Sequence, residues 1–147
     1  MTLISSEFFT HGPPPGQIGA PIWSVRITRL EAGQIYGALP HAAPHRFRYI
    51  TLTLEYLYRG ADCADLYPES IVLVCFGCSP LQGLAQTSLV FFDEDAGRLM
   101  WPNKQSRALP IDAGILHRAT LVYEFHEDCR EFRLYFPECD GICIECP

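Results

Sequence analysis

From Pro21 onward, apolar and polar residues alternate with a period of two along most of the chain. Trp23, Val25 and Ile27 alternate with Ser24, Arg26 and Thr28. In the longest run, Ile50, Leu52, Leu54, Tyr56 and Tyr58 share one face, opposite Thr51, Thr53, Glu55 and Arg59. Leu121, Tyr123 and Phe125 face one way and Thr120, Glu124 and His126 the other, and Phe132, Leu134 and Phe136 repeat the pattern. Successive side chains of a strand point to opposite faces, so these runs predict half-buried strands. Ile71–Val74 and Leu89–Phe92 are short continuous runs of β-formers and predict central strands.

Turn chemistry separates the runs: Gly60-Ala61-Asp62, Gly77-Cys78-Ser79-Pro80, Asp93 to Gly97, Pro102-Asn103-Lys104 and Asp112-Ala113-Gly114. No stretch shows a capped helical period of ten or more residues. About seven short strands with frequent turns predict an all-β, antiparallel β-sandwich over residues 22–147. Residues 1–21 carry Pro13-Pro14-Pro15 and end on Pro21. Proline fixes φ and donates no hydrogen bond, so this stretch reads as an extended arm, with Phe8 and Phe9 able to dock on a neighbouring surface.

Composition narrows the function classes. The chain has 147 residues, the size of one domain, and 48% of them are hydrophobic, enough to fill a core. Its net charge is −6, and of its 11 basic side chains only Lys104 is a lysine, which argues against a nucleic-acid partner. No apolar run approaches the roughly 18 residues that cross a bilayer. The N-terminal residues lack a basic and apolar leader, so a cytoplasmic protein is the default expectation, with a cell-surface location if a leader has been removed. Seven cysteines are present, an odd number that forbids complete pairing within one chain.

The order of elements in the second half resembles a known family. A long alternating strand (Phe47 to Arg59) is followed by an acidic turn closing on glycine, Phe92-Asp93-Glu94-Asp95-Ala96-Gly97. Leu109-Pro110-Ile111-Asp112-Ala113-Gly114 then leads into Leu121-Val122-Tyr123-Glu124-Phe125 and Phe132-Arg133-Leu134-Tyr135-Phe136. Residues 47–136 thereby resemble the telokin-like, immunoglobulin-fold bacterial domains of unknown function. The resemblance implies an immunoglobulin-like β-sandwich serving as a binding or packing module, and it names no catalytic residue. The cysteine-rich tail after Phe136 lies outside the family pattern.

An immunoglobulin-type arrangement predicts where the thiols fall. With Phe47–Arg59 as strand B, Ile71–Phe76 as C, Ala119–His126 as F and Glu131–Phe136 as G, strands C and G flank F and run parallel to each other. Cys63 and Cys129 then occupy loops at one end as neighbours. Cys75, Cys78, Cys139, Cys143 and Cys146 gather at the other. The two Cys-x-x-Cys pairs, Cys75/Cys78 and Cys143/Cys146, have the spacing of a closed tetrahedral zinc site, with Gly77 freeing the backbone of one knuckle. Disulfides within the cluster, or inert buried thiols, are equally open readings. A thioredoxin-type motif is not expected, because Ser79-Pro80-Leu81-Gln82-Gly83 is no helix start.

Other constellations are weaker. Asp93, Glu94 and Asp95 read as a hairpin tip rather than a calcium loop. His117 and His126 read as surface residues, and no thiol has an evident histidine partner with an orienting third group. Without a catalytic constellation, a non-enzymatic protein-interaction or assembly module is expected, acting through a protein partner or self-association and presenting Phe8, Phe9 and Trp101. No cofactor is expected on that reading. A zinc-stabilised metalloprotein using Cys75, Cys78, Cys143 and Cys146 is the alternative, and a carbohydrate-binding sandwich with an aromatic outer face is the third.

Overall fold

The computed structural model describes residues 9–11, 23–75, 85–100, 108–136 and 142–145. Among them, twelve strands form three antiparallel sheets. The largest has six strands in the order β1 (Phe9–His11), β2 (Trp23–Gly33), β3 (Phe47–Tyr58), β10 (Leu116–His126), β7 (Val90–Asp93) and β8 (Arg98–Met100). A four-stranded sheet runs β12 (Ile142–Glu145), β11 (Glu131–Tyr135), β5 (Val72–Cys75) and β6 (Ala85–Thr87). A two-stranded ribbon pairs β4 (Cys63–Leu66) with β9 (Leu109–Asp112). A short 3-10 turn, Pro68–Ser70, leads into β5.

The core lies where the expected apolar faces meet. Val25, Ile27, Leu52, Leu54, Leu121 and Phe125 from the large sheet pack with Leu73, Phe132 and Leu134 from the small one, all with no exposed surface. Phe125 meets Phe132 edge-on at 4.9 Å, and Trp23 meets Phe136 at 5.3 Å. The ribbon contributes Leu66, Leu109 and Ile111 to the same cluster. The all-β antiparallel sandwich expected from the alternation is therefore present.

The strand pairing departs from the immunoglobulin assignment in two ways. The expected strands B and F, here β3 and β10, are direct antiparallel neighbours over eleven residues, from Leu57↔Leu116 to Phe47↔His126. The expected C and G, here β5 and β11, do not flank β10 but pair antiparallel with each other, Cys75 opposite Phe132. As a result, the end of β3 and the end of β10 lie at opposite ends of the sheet. Cys63 follows the Tyr58 end of β3, whereas the Cys129 carbonyl accepts a 2.8 Å hydrogen bond from Arg48 near its start. Ten strand residues, about 33 Å, separate those ends, so Cys63 and Cys129 are not neighbours. The count of strands also exceeds the expected seven, because several have only three or four residues and carry too little alternation to register.

The pairing of β2 with β3 is regular except at one point. Between Ile27 and Arg29 the register shifts, so Thr28 is an extra residue, a β-bulge. The apolar phase changes there: Trp23, Val25 and Ile27 point to the core before it and Leu30 after it.

Candidate functional site

The outer face of the six-stranded sheet is polar where the alternation placed its polar residues. Directly opposed positions form rows across β2, β3 and β10: Arg26, Glu55 and Arg118 in one, Arg29, Thr53 and Thr120 in the next, Glu31, Thr51 and Val122 in the third. Below the third row the face is covered. The segment 34–46 folds over it, held by the Ala43 N–H on the Gln34 carbonyl (2.7 Å) and by the Tyr49 hydroxyl on the His41 carbonyl (3.0 Å). It buries Ala43 against Tyr49, Val90 and Val122, a second apolar cluster separate from the main core.

What stays uncovered is an open groove of about 550 Å³. Its floor is Thr28, Thr51, Thr53 and Thr120, one wall is Tyr36, and the other is Glu94 from the β7–β8 turn. Arg29, Glu31 and Arg118 stand at the rim. The floor is internally ordered. Thr120 donates to Glu94 Oε1 at 2.7 Å, which leaves its oxygen to accept from Thr53 at 3.2 Å, and Thr28 donates to the Thr53 carbonyl at 3.2 Å.

Beside the groove, Glu55 is buried and clamped. Arg26 reaches Glu55 Oε1 with Nε at 3.1 Å and Nη2 at 2.6 Å, while Arg118 Nη2 lies 3.4 Å from Oε2. Only 5% of the Glu55 side chain is exposed, so the guanidinium pair offsets the cost of burying its charge. The acidic turn is a hairpin tip, as expected, closing on Gly97 at φ +61. Asp93 Oδ1 accepts from the Asp95 N–H at 3.1 Å, and Asp95 Oδ2 accepts the Arg118 N–H at 2.9 Å. Tyr36 has its hydroxyl pKa raised by burial first and by Glu94 and Glu31 next, so it is a neutral donor at the wall.

The histidines are less exposed than expected. His117 stacks on Tyr56 at 5.6 Å with Nδ1 3.4 Å from Asp95, and His126 meets Phe47 edge-on at 5.5 Å. An aromatic outer face is not what the groove presents: Tyr36 is the aromatic residue lining it, and Tyr49 is buried in the second cluster.

The edge of β2 adjoins this groove. β1 pairs with β2 through Trp23, Ser24 and Val25, and among the described residues no strand lies beside the remainder, Arg26–Gly33. Arg29, Ala32 and Gly33 are exposed there. Of the three residues singled out for contact, Phe9 lies in β1 opposite Val25, while Phe8 and Trp101 fall outside the described residues.

The cysteines separate by environment. Cys63 is exposed on the ribbon, and Cys75 and Cys129 are buried, with no disulfide among these three. Cys78, Cys139 and Cys146 lie outside the described residues. β5 and β12 are both antiparallel to β11 and hence parallel to each other, with Cys75 opposite Phe132 and Cys143 opposite Arg133. Among the described residues, no group of three His, Cys, Asp or Glu side chains is placed to hold a metal ion. No described helix is long and apolar enough to cross a membrane.

Comparison with known proteins defines the class by fold. No protein-family model matches the chain, and no curated protein matches it. Among solved structures, it is similar to an uncharacterized β-sandwich protein from Clostridium difficile 630, with a TM-score of 0.51 and 13% identity, covering 99% of this chain and 100% of the other. The chain is a β-sandwich, as the alternation predicts.

Proposed function

We propose that this β-sandwich is a non-enzymatic protein-interaction module that works through the part of the β2 edge that no described strand covers, Arg26–Gly33, and the groove beside it. The observation that carries the reading is the mismatch between the two sides of β2. Its inner side pairs with β3 from Trp23 to Gly33, and its outer side pairs only over Trp23–Val25 among the described residues. An exposed row of backbone donors and acceptors is a template for an added strand, and a neighbouring groove supplies side-chain selectivity. The groove offers hydroxyls and mutually paired charges, the Thr120 hydroxyl being held by Glu94 Oε1 and Arg29 by Glu31.

Hydrogen–deuterium exchange on the full chain tests this. In dilute solution, the outward amides of Arg29–Gly33 should exchange rapidly, and association should slow them. Strong protection of these amides at every dilution would remove the reading.

A further inference from the structure

We propose that the groove on the six-stranded sheet is a binding site for a guanidinium group, held between Glu94, Thr51 and Tyr36. The inference rests on the proposed role of the groove and names the chemistry it takes. It needs no vacant strand edge, because the groove opens on the face of the sheet and every residue lining it lies among the described ones.

Each arginine around the groove faces a carboxylate. Arg26 and Arg118 both turn to Glu55, at 2.6 and 3.4 Å, and Arg29 turns to Glu31 at 2.6 Å. Glu94 is left with a hydroxyl. Its Oε1 accepts from Thr120 at 2.7 Å, and among the described residues no arginine pairs with it. A carboxylate met only by a neutral donor keeps most of its attraction for a cation. The Tyr36 phenol registers the same field, since its pKa is raised by burial first and then by Glu94 and Glu31.

A second, independent feature lies in the floor. Thr51 is 9% exposed, lines the groove, and takes part in none of the bonds that tie Thr28, Thr53, Thr120 and Glu94 together. A hydroxyl buried to that degree outside the network leaves an acceptor unused at the bottom of the site. Thr51 is two residues from Thr53 on the same face, and Thr53 is directly opposite Thr120. Thr51 therefore lies roughly 7 Å from the row where Glu94 is anchored. An ammonium is a single nitrogen and joins oxygens no more than about 6 Å apart. A guanidinium carries its N–H donors on three nitrogens of a rigid plane, which lengthens the reach by about 2 Å and spans the gap. Its flat face also suits Tyr36, which is packed against the second apolar cluster.

Amide NMR spectra of the full chain, recorded as methylguanidinium, methylammonium or acetate is added, test the proposal. Methylguanidinium should shift the amides of Tyr36, Thr51 and Glu94 saturably at millimolar concentration, and methylammonium should bind at least about threefold more weakly. Glu94→Gln should weaken methylguanidinium about tenfold and Thr51→Val about threefold, with the rest of each spectrum unchanged to show that the fold is kept. An arginine blocked at both ends separates the two sources of the group. Tighter binding than methylguanidinium assigns it to a side chain of a partner protein, and equal or weaker binding to a free guanidino compound. No saturable shift, equal binding of methylammonium, an unchanged affinity in Glu94→Gln, or acetate bound at these residues in place of the cation would each overturn it. Failure here leaves the added strand to its own exchange test. Saturable binding in a chain whose Arg29–Gly33 amides are protected at every dilution removes the edge and keeps the site.

Discussion

The Tyr123 hydroxyl donates a 2.9 Å hydrogen bond to the Ile71 carbonyl, joining β10 of the large sheet to the residue that enters β5 of the small one. Both residues have no exposed surface. The bond is directional where aliphatic packing is not, so it helps to set how the two layers are placed along each other. It also satisfies a hydroxyl that would be costly to bury alone.

Replacing Tyr123 with Phe keeps the ring and strands the Ile71 carbonyl. The expected loss is about 1–2 kcal/mol of unfolding free energy, measured by urea denaturation, with the fold retained. An unchanged midpoint would show that the bond contributes nothing net.

Burial raises the phenol pKa values of both Tyr123 and Tyr56, the latter also through Asp93 and Asp95. A folded-state pKa above the unfolded value means that the neutral form is favoured in the native protein. The associated stability is complete below the unfolded pKa near 10 and is lost as pH climbs from there towards the folded values. Absorbance at 295 nm should therefore show two tyrosines that ionise only as the protein unfolds. If every tyrosine ionised near pH 10 with the fold intact, the burial of these two phenols would be refuted.

Glu55→Gln removes the carboxylate charge between Arg26 and Arg118. Because Arg26 is 23% and Arg118 55% exposed, water takes up part of the lost pairing, and the expected destabilisation is about 1–3 kcal/mol. Glu55→Ala should cost more, since it also opens space under the groove. Thermal unfolding of both variants checks the order as well as the size.

Thiol accessibility should follow burial. Cys63 is expected to alkylate in the folded protein within minutes, and Cys75 and Cys129 only with denaturant, read by peptide mass mapping. Equal rates for Cys63 and Cys129 would contradict their placement.

The layers of the fold were legible because alternation depends on local pleat geometry. Ile50, Leu52, Leu54 and Tyr56 point inward as the pattern says, and Thr51, Thr53 and Glu55 form the outer face. The groove was half legible for the same reason. Its floor was visible as polar positions, whereas Tyr36 and Glu94 reach it only because a long connection and a hairpin tip fold over the sheet. Pairing order was not legible. Whether β3 lies beside β10 or across from it depends on long-range contacts that leave no local period. The later part of β2 was missed because Leu30 falls out of phase after Ile27, and a period-two reading stops at that break.

With Thr28 deleted, Trp23, Val25, Ile27 and Leu30 would fall into unbroken alternation, so the shortened chain has a straight, flat border in place of a bent one. Borders of that kind zip onto one another without a defined stopping point. Deletion of Thr28 is therefore expected to make the chain more prone to edge-to-edge aggregation, read as a rise in light scattering on standing that the unaltered chain does not show.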